Sequence, residues 1–143
     1  MNLRTEHLSR CIETLEKSVE KLQSAPTGGI EYEVFRNATV KGFELTLETA
    51  GKLLRKALKA YMANPRSVDE LVYKDVLRGA AKHGLLAPAA LERWFAYRDN
   101  RNSTAHDYGE GFAEETLALL PGFIEDARLV ECKLRERFGH ADA

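Results

Sequence analysis

The chain has few of the residues that force a special architecture. It carries two cysteines, Cys11 and Cys132, with no Cys-x-x-Cys and no Cys/His cluster beside either. Each reads as a small buried hydrophobe rather than half of a disulfide or a metal site. No run of about 18 apolar residues occurs, so no membrane span is expected. The first residues, Met1-Asn2-Leu3-Arg4-Thr5-Glu6, lack the apolar core of a secretory leader, and a cytoplasmic protein is the default expectation. Charge of one sign is also missing. With a net charge of −1, any attraction to nucleic acid or to an anionic membrane must come from a local patch. Strand-like alternation, internal repeats and low-complexity stretches are not found.

What remains is a 143-residue chain that is 44% hydrophobic and 30% charged, the composition of a folded soluble domain. That length supports a single domain over 1–143 with one real core. Its last residues, 139–143, read as a flexible tail around Gly139 and His140.

Apolar residues recur at helical spacing throughout. Leu8, Ile12, Leu15, Val19 and Leu22 are spaced 4, 3, 4, 3, a single stripe that Pro26-Thr27-Gly28-Gly29 ends. A second, longer helix is expected up to Asn64-Pro65. Its stripe contains Phe43, Leu47, Ala50, Leu54, Ala57 and Leu58, widened by Val34, Val40, Leu45 and Leu53. So broad an apolar face marks a central helix with several neighbours. Gly51, well inside it, costs about 1 kcal/mol relative to alanine, and either is tolerated or admits a close neighbour.

Ser67-Val68-Asp69-Glu70 has the form of a capping box, predicting a helix from there through Leu71, Val72, Val76, Leu77 and Ala80 to Lys82-His83-Gly84. His83 then completes the helix C-terminus. Pro88 suits the first turn of a fourth helix with Leu91, Trp94 and Phe95 on its buried side. Gly109 and Gly111 predict a break, followed by a short helix from Phe112 to Leu120. An interruption is expected at Pro121-Gly122, and a last helix on Phe123, Ala127, Val130 and Leu134. The fold class is therefore all-α: an antiparallel bundle of about five helices around a four-helix up-and-down core.

Against this burial-driven background, residues 97–108 stand apart. Tyr97-Arg98-Asp99-Asn100-Arg101-Asn102-Ser103-Thr104-Ala105-His106-Asp107-Tyr108 gathers cations, amides, hydroxyls, an imidazole and a phenol. Arginine offers a planar fork for phosphate oxygens, and histidine exchanges protons near neutral pH. Together they suffice for cleavage of RNA without a metal. A base activates the ribose 2′-hydroxyl, a cation stabilises the charged phosphorane and an acid protonates the leaving oxygen. Metal-assisted hydrolysis is disfavoured, because no carboxylates or histidines cluster here at ligand spacing. On residue types alone, helix termination explains the stretch as well. Arg98, Asn102 and His106 would stack on one helical face, whereas Arg101 points about 140° away from His106. A site using both needs a helix end between them or a second copy of the chain.

The segment Arg101-Asn102-Ser103-Thr104-Ala105-His106-Asp107-Tyr108 resembles the R-x4-H-x-Y motif of HEPN proteins. Phe43 to Leu54 is similar to the matching helix of one HEPN branch, the nucleotidyltransferase substrate-binding proteins. Helix order, Gly84 before the fourth helix and the proline near the start of the last also agree. Gly51 departs from the branch, where a bulky, often aromatic residue is expected.

The resemblance implies a helical bundle that homodimerises, with two motifs lining a shared cleft, and a minimal nucleotidyltransferase encoded nearby in a toxin–antitoxin-like pair. It implies a metal-independent ribonuclease with no cofactor, in which Arg101 stabilises phosphate, His106 moves protons or binds phosphate, and Asn102 orients them. Tyr108 would accept a silencing adenylate. Arg98 matches no motif position; with Ser103 and Thr104 it is a candidate phosphate or substrate contact. The alternative is a non-catalytic module that docks to the transferase and presents a nucleotide or other acceptor.

Overall fold

The computed structural model describes residues 1–104 and 110–139, with side chains for 1–101 and 114–139. Among the described residues all regular structure is helical. Five α-helices run in the order α1 (Glu6–Ser24), α2 (Ile30–Leu58), α3 (Tyr73–Lys82), α4 (Leu91–Thr104) and α5 (Glu110–Phe138). Short 3-10 turns at Lys59–Tyr61, Pro65–Glu70 and Pro88–Ala90 join them. No helix is long and apolar enough to cross a membrane among the described residues. The expected tail contributes only Gly139; 140–143 lie outside the described residues.

The core follows the helical stripes. Leu8, Ile12, Leu15 and Leu22 of α1 are buried against α2, whose Phe43, Leu47, Ala50, Leu54, Ala57 and Leu58 are sealed from solvent. Burying each such Leu, Ile or Phe contributes about 1.5–3 kcal/mol. The extra set on α2 is less buried than its hydrophobicity suggested: Val34 and Leu45 are exposed. Two polar residues in the α2 core are self-satisfied, because Thr39 donates to the Phe35 carbonyl and Thr46 to that of Gly42, both at 2.7 Å. The segment before α1 is tied to the end of α5 where the Leu3 amide donates to the Phe138 carbonyl at 3.0 Å.

Two local expectations are corrected. Ser67 does not cap a helix: it sits inside the 3-10 turn, where the Asn64 side chain accepts from the Arg66 amide and Ser67 Oγ donates to the Asn64 carbonyl. Arg55 then donates to the carbonyls of Val68 and Leu71, both at 2.8 Å, and holds the chain extended until α3 starts at Tyr73. A long-range cation on two carbonyls outweighed the local capping signal. Pro121, in turn, does not interrupt α5, which continues through it. Losing the amide at a helix interior costs about 3 kcal/mol. Leu120, Phe123, Ala127, Val130 and Leu134 all pack into the same core on either side of it, so tertiary burial overrides the local cost.

α4 is held by a buried carboxylate on α5. Asp126 accepts from Arg93 Nε and Nη2 at 2.9 and 3.0 Å and from the Tyr97 hydroxyl at 2.5 Å. Burial and the bond to Asp126 push the Tyr97 phenol above its ordinary value, so it remains a donor. Its ring meets Trp94 and Phe123 edge-on at 5.5 and 5.0 Å, and Phe123 meets Phe43 of α2 at 4.8 Å.

Gly51 has a positive reason. A Cβ there would lie 2.4 Å from Cε2 of Tyr73. The ring at the start of α3 rests on the bare α2 backbone, with its hydroxyl donating to the Leu47 carbonyl at 3.2 Å. The aromatic group in this region therefore comes from a different helix.

Replacing Asp126 with alanine strands the Tyr97 hydroxyl, at a cost of about 1–3 kcal/mol. Urea unfolding should show a lower midpoint, and an unchanged one would contradict the anchoring role. Gly51→Ala should cost about 1–3 kcal/mol through overpacking against Tyr73. Adding Tyr73→Ala should make the glycine substitution nearly neutral, and a double-mutant cycle without such coupling would refute the contact.

Candidate functional site

The second half of α4 divides its residues between the bundle and the candidate chemistry. Tyr97 and Asn100 turn inward: Tyr97 is 2% exposed and Asn100 is 9%. The buried Thr116 hydroxyl of α5 donates to Asn100 Oδ1 at 3.0 Å. That bond fixes α4 against α5 one residue before Arg101. The sequence contains no local signal for it, because Asn100 sits in a polar run and Thr116 in an unremarkable helix.

Arg98 and Arg101, three residues apart, project from adjoining faces of α4. Both are half-buried. The Arg98 guanidinium lies over the Tyr73 ring at 4.6 Å from its centre, a stacking that suits the flat delocalised cation. Desolvation raises the Tyr73 phenol above its usual range, while the positive charges of Arg98, Arg101 and Arg55 partly oppose that rise. The arginines thus share one electrostatic environment, walled by a phenol that stays neutral. Gly51 makes the arrangement possible by letting Tyr73 sink onto α2. Further out, Lys74 Nζ pairs with Asp99 at 3.0 Å.

The other residues singled out in the sequence stand differently. Asn102, Ser103 and Thr104 occupy the last described turn of α4, and their side chains are outside the described set. His106 and Tyr108 lie outside the described residues altogether. The structure therefore brings together Arg98 and Arg101, and adds Tyr73, Asn100 and Thr116. Tyr73 was hidden because only the empty Cβ position at Gly51 pointed to a close neighbour. His83, expected at a helix end, is the C-cap of α3 and stacks on Tyr61 at 4.6 Å.

Among the described residues, no three His, Cys, Asp or Glu side chains converge as a metal centre would require. A cleft of about 220 Å³ between the starts of α2 and α5 is lined by Tyr32, Glu33, Arg36 and Glu114. It does not include Arg98 or Arg101 in its lining.

Comparison with known proteins agrees with this architecture. Over 128 residues the chain is 26% identical to the "Probable ribonuclease HepT" of Haemophilus influenzae, covering 87% of this chain and 86% of that protein. A solved structure, HI0074 from Haemophilus influenzae, described as revealing the fold of a substrate binding domain of a nucleotidyltransferase, superposes with a TM-score of 0.82. It is 25% identical, and the match covers 92% of this chain and 99% of that one. Residues 3–136 match the family described as nucleotidyltransferase substrate binding protein like. With nearly its whole length inside that match and an R-x4-H-x-Y sequence that begins at Arg101, the chain belongs to this HEPN-related family of nucleotidyltransferase substrate-binding proteins.

Proposed function

We propose that the chain is the HEPN subunit of a two-component system with a minimal nucleotidyltransferase encoded nearby, and that it is a metal-independent endoribonuclease. The observation that carries this reading is the half-buried Arg101, which opens the R-x4-H-x-Y sequence and itself lies on a helix pinned by Asn100 and Thr116. A desolvated guanidinium binds phosphate oxygen more strongly than one free in water. Similarity to a protein named probable ribonuclease HepT supports the same reading.

In this mechanism one His106 imidazole takes the proton of a ribose 2′-hydroxyl. The 2′-oxygen attacks the adjacent phosphorus, and the bond to the 5′-oxygen breaks. The leaving oxygen takes a proton from the His106 imidazolium of a second copy, yielding a 2′,3′-cyclic phosphate and a 5′-hydroxyl. Arg101 stabilises the charge on the pentacoordinate phosphorus. Asn102 orients these groups, while Arg98, Ser103 and Thr104 contact neighbouring phosphate or sugar oxygens. A homodimer with α4 in its interface supplies both imidazoles and relieves the 140° divergence of Arg101 and His106 on one ideal helix. Silencing follows when the Tyr108 hydroxyl attacks the α-phosphorus of ATP and pyrophosphate leaves, which places an adenylate where RNA phosphate would bind.

The description of HI0074 as a substrate binding domain favours a second reading. There the same residues hold a nucleotide or acceptor for the transferase, and no bond in RNA is cut.

Incubation with RNA in excess chelator separates the two readings. Cleavage is expected, falling by about 10²–10⁴-fold in Arg101→Ala and in His106→Ala. Equal inertness of all three proteins would leave the binding module standing. Sedimentation should show a dimer, and a monomer at micromolar concentration would remove the shared cleft. With the partner transferase and ATP, intact mass should rise by one adenylate, and Tyr108→Phe should abolish that gain. Modification at another residue would overturn the tyrosine assignment.

A further inference from the structure

The site described above lies at one end of a longer surface formed by α3 and α4. Lys74 and Arg78 are one turn apart on α3, about 6 Å along the helix axis. Both approach the ring of Phe95 on α4, with Lys74 Nζ 5.4 Å and Arg78 Cζ 5.0 Å from its centre. One turn further along α4, Arg98 lies over Tyr73 at 4.6 Å. Cations and aromatic rings therefore alternate from Arg78 and Phe95 through Lys74 to Arg98 and the Arg101 region. Two carboxylates accompany them: Asp75 pairs with Arg78 at 2.7 Å and Asp99 with Lys74 at 3.0 Å. These ion pairs are substantially exposed. Such pairs contribute little to stability, and a phosphate can compete for the same cations. The chain's near-neutral total charge makes this local concentration more conspicuous.

We propose that this α3–α4 face is a track for the backbone of single-stranded RNA leading away from the Arg101 site, an inference that rests on the ribonuclease reading above. Lys74 and Arg78 contact phosphates of nucleotides outside the scissile step, and Phe95 offers a ring edge and a polarised cationic rim to an unstacked base. RNA fits this surface better than an acidic protein partner because aromatic rings alternate with the cations and because the face is continuous with Arg98. Its contribution is to affinity for longer strands and not to the bond-breaking step.

The test uses the full chain carrying His106→Ala, with a fluorescent single-stranded RNA of about 20 nucleotides titrated at several salt concentrations. Adding Lys74→Ala and Arg78→Ala should weaken binding about ten-fold. It should also reduce the slope of log K against log salt by about 1.4, the value for two lost phosphate contacts on a single strand. Phe95→Leu, which keeps an apolar side chain in place, should weaken binding with little change in slope. With His106 intact, the same Lys74/Arg78 pair should reduce cleavage of the long strand while leaving cleavage of a tetranucleotide unchanged. Unchanged affinity and slope in a folded double variant, with RNA cleavage by the wild type intact, would overturn the track alone. No RNA cleavage and no RNA binding by the wild type would overturn both proposals. RNA binding with the expected slope change but no cleavage supports the track and removes the nuclease. Unaltered RNA binding with lost docking of the transferase would reassign the face to a protein partner and overturn the track.

Discussion

The buried carboxylate of Asp126 is the constraint on which the placement of α4 depends. It accepts from Arg93 and Tyr97 on successive turns of α4, and so sets both the rotation and the axial position of that helix against α5. A carboxylate this buried requires partners, since an ionised group left alone in a low-dielectric core is severely penalised. The specificity of the arrangement follows from that penalty: any register of α4 that moves Tyr97 or Arg93 away leaves Asp126 uncompensated. The aromatic contacts among Trp94, Tyr97, Phe123 and Phe43 extend the fixed region to α2.

From that anchor the polar half of α4 is placed by smaller devices. The Thr116–Asn100 bond holds the helix close to its described end, and the Tyr73 ring receives Arg98. Tyr73 can do so only because Gly51 has no side chain and because Arg55 keeps the segment before α3 extended. Three helices and a loop thus support one cationic corner. Its arginines are part-desolvated, which strengthens their pull on an anionic ligand, and the nearby phenol adds no negative charge to oppose it.

The surface beyond this corner differs from the core in how charge is arranged. Several exposed cations elsewhere pair with a carboxylate on their own helix, such as Arg10 with Glu13 and Lys17 with Glu20. On the α3–α4 face the cations also contact aromatic rings. That combination links the corner at Arg98 and Arg101 to a wider area of the molecule.

Much of this was legible in the sequence. The 3.6-residue periodicity of α1 and α2 required amphipathic helices, and Leu8, Ile12, Leu15, Phe43, Leu47 and Leu54 are buried as the stripes demand. The R-x4-H-x-Y segment on which the proposed chemistry rests is visible in the sequence, because its residue types and spacing are local properties. Local signals failed where a distant group dominated. Ser67 and Glu70 looked like a cap until Arg55 claimed the carbonyls that follow, and Pro121 looked like a helix end until the core on both sides held α5 continuous. Composition and periodicity alone determined an all-α chain whose fourth helix runs into a polar motif. Only the tertiary structure decided that Tyr73 would fill the space over Gly51, that Asp126 would hold Arg93 and Tyr97, and that Lys74, Arg78 and Phe95 would share one face. Those pairings join residues on different helices, and their energies exist only once the helices are packed.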